Sequence, residues 1–271
     1  IREKLDKKEF FIAPGIHDMM AAVIANKVGF NIVYGTGFWM TASTHGLPDA
    51  GIATYTQMLE RVSTLARTSN AAVIADADTG YGGLLNVHHT VRGYEDAGIS
   101  AIQIEDQEFP KKCGHTLGKR CISLEEMVDK IGVACEARRD PLNTLIIART
   151  DVRQAEGLDA AINRGTAFSE AGADIVFVEA LHSTEEMRCA CDQIDAPMIA
   201  NMADGGQTPI RSGAELADIG YACAIYPATT ALAANYAIEQ ALIGIKNTGT
   251  SFKSNPPLYD FDEFCSLIGI H

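Results

Sequence analysis

The chain has 271 residues, 47% of them hydrophobic and 21% charged, enough to fill the core of one (β/α) barrel or of two smaller domains. A formal net charge of −13 argues against nucleic acid as a partner, because neutralising phosphates takes clustered Lys and Arg. No stretch approaches the roughly 18 consecutive apolar residues of a membrane span, and no signal-peptide pattern opens the chain. Seven cysteines at irregular spacing read as thiols in a reducing compartment, taken here as the cytoplasm.

In chain order, residues 1–9 read as a charged, solvated helix and the apolar run 11–14 as a first strand. A helical pattern stops at Gly29 and is followed by a run at 31–34, closed by Tyr34-Gly35-Thr36-Gly37. A helix over 53–67 leads to a run at 71–76, whose end reads Asp76-Ala77-Asp78-Thr79-Gly80-Tyr81-Gly82. Next come a helix over 86–97, Gly98, and a run at 100–105 ending in Glu105-Asp106. A long polar loop carries Lys111, Lys112, Cys113, Gly114 and His115, and Ser123 with Glu126 reads as a capping box for a helix over 124–138. Long ordered loops of this kind tend to serve sites.

The second half repeats the pattern. A strand at 143–149 ends in Arg149-Thr150-Asp151, and a helix over 158–171 and Gly172 precede a strand at 174–179. A helix over 184–191 leads to a strand at 197–201, with Thr208-Pro209 read as N-cap and first helical residue. A helix over 214–219 and Gly220 introduce the eighth run, 221–226. A helix from Ala228 to about residue 245, a polar linker and a helix at Phe261–Leu267 close the chain.

A Gly at a helix C-terminus leading into a buried strand is the αβ-turn grammar of a parallel sheet. Eight such units with strands apolar on both faces predict a closed (β/α)8 TIM barrel over residues 1–245, with a C-terminal linker and helix over 246–271 packing on another subunit. The competing open doubly wound sheet would need a G-x-G-x-x-G fingerprint after its first strand, which is absent.

In a parallel barrel the strand ends meet at one mouth, where sites are built. Asp76, Asp78 and Glu105 offer hard oxygen ligands suited to Mg²⁺, which keeps waters and takes few carboxylates directly. Isolated, the two Asp would read as solvated turn acids; three acids on adjacent strand ends beside Gly-rich turns do not. Cys113 stands between Lys112 and His115, and cations lower a thiol's pKa, fitting it to give or take a proton. Arg149 ends an otherwise apolar strand and would be costly to bury unpaired; Glu179 is its expected neighbour, either as a structural ion pair or beside a carboxylate clamp.

These residues resemble the isocitrate lyase and phosphoenolpyruvate mutase superfamily: K-K-C-G-H, Y-G-T-G, D-A-D-T-G-Y-G, Q-I-E-D-Q, A-R-T-D, F-V-E and A-N-M fall in its order over nearly the whole chain. The resemblance implies a barrel whose eighth helix is exchanged between subunits of a homotetramer. It implies Mg²⁺ or Mn²⁺ held largely through water by Asp76, Asp78 and Glu105, with Asp49 nearby. It implies a small 2-oxo or 2-hydroxy dicarboxylate on the metal, on the Thr36 and Gly37 amides and against Arg149, with Lys111, Cys113, Gly114 and His115 closing over it.

The C-G-H thiol favours the carbon–carbon lyase branch. There a base, Tyr34 or a metal-linked carboxylate, would take the C2 hydroxyl proton, and the C2–C3 bond would break. Arg149, His115 and Asn201 would stabilise the enediolate, which Cys113 would protonate. After Asn201 the chain reads Met202-Ala203-Asp204-Gly205-Gly206, where methylisocitrate lyases carry T-E-F-G. Pro227 stands where oxaloacetate hydrolases are expected to place a Ser. The substrate expected is therefore 2,3-dimethylmalate, yielding pyruvate and propionate, with oxaloacetate hydrolysis and 2-methylisocitrate cleavage as the alternatives.

Overall fold

A computed structural model describes residues 1–114, 116, 118–251 and 257–270. Eight parallel strands follow the chain: β1 Phe11–Ile16, β2 Ile32–Gly35, β3 Ala72–Asp76, β4 Ala101–Glu105, β5 Leu145–Thr150, β6 Ile175–Val178, β7 Ile199–Asn201 and β8 Cys223–Tyr226. They pair in the order β6-β5-β4-β3-β2-β1-β8-β7. A parallel bridge between Val176 and Met198 joins β6 to β7 and closes the (β/α)8 barrel.

The helices are α1 Arg2–Asp6, α2 Met19–Val28, α3 Gly37–His45, α4 Tyr55–Thr68, α5 Leu84–Asp96, α6 Leu124–Ala137, α7 Arg153–Glu156, α8 Leu158–Glu170, α9 Thr184–Gln193, α10 Gly213–Ile219, α11 Thr229–Thr248 and α12 Phe261–Leu267. Gly29, Gly98, Gly172 and Gly220 all carry positive φ at or just past a helix end, as the turn grammar requires. Two local expectations need correcting. Helix α10 starts at Gly213 behind Ser212, whose hydroxyl accepts from the Glu215 amide, so Thr208-Pro209 starts no helix. Ser123 does cap α6 by accepting from the Glu126 amide, but no reciprocal bond from the Glu126 side chain completes a box.

Strand parity positions everything at the mouth. Side chains alternate across a strand, so every second residue points into the barrel. Phe11, Ala13, Ile32, Tyr34, Ile74, Ala101, Leu145, Ile147, Ile175, Phe177, Ile199, Cys223 and Ile225 form one buried interior cluster, with Ile1 and Leu5 of the α1 segment packed beneath. Two residues beyond Ile74, Ile147, Phe177, Ile199 and Ile225 stand Asp76, Arg149, Glu179, Asn201 and Pro227, and on β4 Glu105 stands four beyond Ala101, past Gln103. The opposite parity, with Val33, Val73, Ile102, Ile146 and Val176, packs against the helices.

The flank made by α2, α3, α11 and α12 is different. A groove of about 1090 Å³ there is lined by Met20, Ile24, Val28, Phe30, Trp39 and Ile238 among others. Helix α11 leaves Leu232, Tyr236, Ile238 and Leu242 exposed. No described helix is long and apolar enough to cross a membrane.

Candidate active site

A cavity of about 220 Å³ opens at the C-terminal ends of the strands. Tyr34, Thr36, Asp49, Asp76, Glu105, Lys111, Cys113, Gly114, Arg149, Glu179, Asn201 and Pro227, all expected at the site, line it. Gly37 and Asp78 stand behind that wall. A Cβ on Gly37 would meet Asp76 Oδ2 at 2.6 Å, so only glycine lets α3 start against that carboxylate. Asp78 adopts φ 48°, a left-handed turn that Asp tolerates, and its amide donates to Asp76 Oδ1 at 3.0 Å. His115 lies outside the described residues.

The acids are buried and short of positive charge. Burial pushes the Asp76, Asp78 and Glu105 carboxyls up from the usual range, Glu105 furthest, against the pull of Arg149 and Lys111. Glu105 Oε1 is buried without a hydrogen-bond partner. Lys111 Nζ bridges Asp49 at 2.6 Å and Asp78 at 2.7 Å. Burial opposes the Lys111 charge, but Asp78, Glu105, Asp49 and Asp76 outweigh it and hold the ammonium well above its ordinary value. Such a set fits a divalent cation. Among the described residues no three His, Cys, Asp or Glu side chains converge closely enough to grip one directly, so contacts through water suit the geometry.

Arg149 is surrounded by carboxylates. Its Nε and Nη2 donate to Asp151 at 2.9 and 3.0 Å, Nη2 stands 3.2 Å from Glu179, and Nη1 stands 3.4 Å from Glu105. The guanidinium lies over the Phe177 ring at 5.0 Å. Asp151 is held down at about 2 although burial alone would raise it, because Arg149 and Lys119 both pair with it. Glu179 also accepts from Asn201 Nδ2 at 3.0 Å, leaving Asn201 Oδ1 buried without a partner.

The Cys113 loop is pinned at its base by an antiparallel bridge between Gln107 and Cys121. The Gln107 amide accepts from Lys112 N at 3.0 Å and donates to Lys112 O at 2.8 Å. Gly114 is pressed onto the site: a Cβ there would fall 2.1 Å from Arg149 Nη2. The cation expected beside Cys113 is placed differently. Lys112 Nζ turns away to the Gly118 carbonyl at 2.8 Å and is exposed, and the loop's cavity-lining lysine is Lys111. Tyr34 keeps its phenol proton, since burial and the neighbouring Asp76 push it well above the ordinary value; its hydroxyl donates to Gln103 Oε1 at 3.3 Å.

Sequence reasoning missed Lys119, Asp151 as the Arg149 holder, Gln103, and the Phe38-Trp39 wall. The inward parity of residues 101, 103 and 105 could have exposed Gln103. Nothing in the polar loop distinguishes Lys119 from its neighbours.

The chain matches the family model described as phosphoenolpyruvate phosphomutase over residues 1–246. It is 43% identical over 270 residues to the 2,3-dimethylmalate lyase of Eubacterium barkeri, covering 100% of this chain and 93% of that protein. It is 43% identical over 271 residues to the 2-methylisocitrate lyase of Aeropyrum pernix, covering 100% and 87%. Among solved structures, oxaloacetate acetylhydrolase in complex with 3,3-difluorooxalacetate aligns with a TM-score of 0.94 at 30% identity over 99% of this chain and 92% of that one. Phosphonopyruvate hydrolase in complex with oxalate and Mg²⁺ aligns with a TM-score of 0.89 at 30% identity over 99% and 93%.

Proposed function

We propose a reaction from one premise: the chain belongs to the phosphoenolpyruvate mutase/isocitrate lyase superfamily. It is a carbon–carbon lyase that splits the C2–C3 bond of 2,3-dimethylmalate into pyruvate and propionate. The observation that carries this reading is the meeting of Cys113, Arg149 and the acid set in one small cavity. Asp76, Asp78 and Glu105, with Asp49 beside them, would hold Mg²⁺ or Mn²⁺, which would supply positive charge to substrate oxygens at the mouth.

The chain's own groups perform the remaining work. Arg149 and the amides at the start of α3 hold a substrate carboxylate. Tyr34, kept protonated, donates a hydrogen bond, which leaves a carboxylate among Asp49, Asp76 and Glu105 to accept the C2 hydroxyl proton. The bond electrons pass to C3, and the propionate enediolate forms beside Arg149 and Asn201. The Cys113 thiol then delivers a proton to C3.

Size and charge support the choice of substrate. A cavity of about 220 Å³ is below the roughly 300–1,000 Å³ of sites for drug-sized ligands. Residues 203–206 line it with Ala, Asp and two Gly, none of which offers a cation to a third carboxylate. Pro227 lines the place where hydrolysis of oxaloacetate would call for a hydroxyl. The chain acts as a homo-oligomer, a tetramer, in which a second copy covers the apolar groove beside α11.

A panel of 2- and 3-alkylmalates, 2-methylisocitrate and oxaloacetate, assayed with Mg²⁺, with Mn²⁺ and with EDTA, tests the reading. Pyruvate release from dimethylmalate, lost in EDTA, is expected; oxalate release from oxaloacetate as the fastest reaction would replace the proposal. Solution mass before and after truncation at Thr248 tests the assembly.

A further inference from the structure

Two lysines of the Cys113 loop are buried, and Lys111 takes the Asp49 and Asp78 carboxylates. The other, Lys119, is 5% exposed and reaches under the loop. Its ammonium donates to the Gly114 carbonyl and, at 2.7 Å, to Asp151 Oδ1. Asp151 in turn accepts two bonds, from Nε and Nη2, along one edge of the Arg149 guanidinium. Gly114, next to Cys113, lies directly on that guanidinium. The thiol segment and the arginine are therefore joined twice, by contact and through the chain Gly114–Lys119–Asp151–Arg149.

We propose that Lys119 is a positioning residue that couples occupancy of the Arg149 clamp to the placement of Cys113. Asp151 needs no second cation to stay paired, since Arg149 already gives it two bonds. What Lys119 adds is a link to a backbone carbonyl one residue from the thiol. When a ligand carboxylate draws on the guanidinium, Asp151 leans more on Lys119, and Lys119 holds Gly114 in register over the site. The inference rests on the lyase reading for what Cys113 does, but not for its test.

The test compares the unaltered chain with Lys119→Met and Lys119→Arg. In steady state Lys119→Met is expected to lower kcat by about 100-fold, the scale of a misplaced catalytic group, with KM changed by less than about threefold because Arg149 keeps its carboxylate partners. The second readout needs no turnover. Iodoacetamide labelling of the Cys113 peptide is followed by mass mapping with and without oxalate and Mg²⁺. Oxalate is expected to slow labelling by more than about tenfold in the unaltered chain and in Lys119→Arg, but by less than about twofold in Lys119→Met, while calorimetric oxalate affinity stays within about threefold. Retained kcat, surviving protection, protection absent from the unaltered chain, or an affinity loss matching the activity loss would each overturn the proposal. Lys119→Gln, which loses the charge and one bond of reach, is read by the same labelling if the Met variant does not fold, with loss of protection expected and surviving protection overturning the proposal. A chain inactive on every dicarboxylate would remove the lyase reading and leave the labelling result to decide the coupling.

Discussion

Glu105 and Asp106 are neighbours on one strand end, and they belong to different regions of the molecule. Glu105 points into the mouth, with Oε1 unpartnered and Arg149 at 3.4 Å from Oε2. Asp106 points into the shell between β5 and α8, where its Oδ1 accepts from the Asp151 amide at 2.9 Å and its Oδ2 from Thr150 at 2.7 Å and Arg164 at 3.0 Å. Burial pushes both carboxyls up, but only the shell acid has every oxygen satisfied. A buried acid with complete partners contributes to stability, whereas one left incomplete is a seat for something the chain does not itself provide.

The largest test of that contrast lies in the mouth. Cys113→Ser should lower kcat by about 10³-fold, within the range for losing a proton donor, while a urea melt moves by less than about 0.5 kcal/mol. Glu105→Gln should sharpen the contrast: activity falls by about 100-fold, yet thermal stability holds or rises, because the variant removes a charge that burial already disfavours. In the shell the signs reverse. Asp106→Ala strands Arg164 and should cost about 3 kcal/mol in a urea melt. A loss of stability in Glu105→Gln as large as in Asp106→Ala would erase the distinction between the regions.

Asp151 connects the two regions and supplies the pH test. Its folded-state pKa is depressed, so its ionised form adds stability above the unfolded value near 4 and that stability is lost as pH falls through about 2. The contribution is roughly 2 kcal/mol. Chemical melts between pH 6 and 2 should show this acid limb in the unaltered chain and lack it in Asp151→Asn. The smallest expected effect is Ser123→Ala, which removes the α6 cap beyond the loop and should cost about 1 kcal/mol without changing kcat.

The barrel and the inventory of its mouth were legible because one rule produces both. Alternation that buries Leu145 and Ile147 also points Arg149 inward, so a polar residue ending a buried row can be read as a mouth residue. The loop was less legible. Lys111, Lys112, Lys119 and Arg120 look alike in sequence, yet Lys111 and Lys119 are buried and the other two are exposed. What sorts them is the Gln107–Cys121 bridge and the Gln107 side chain, long-range constraints that no local pattern announces. Helix α3 was missed because Gly37–His45 shows little separation of apolar and polar faces, lying between the cavity and the groove. Thr208-Pro209 misled because a favourable start signal says nothing about whether the following residues have a core to cover.

Trp39 lines both the cavity at the barrel mouth and the apolar groove, and the chain holds one tryptophan. Its indole emission therefore comes from a single wall with charged groups on one side and greasy surface on the other. Titrating oxalate and diluting the protein should each shift that emission, so one optical signal, without any label, would record the filling of the mouth and the covering of the flank.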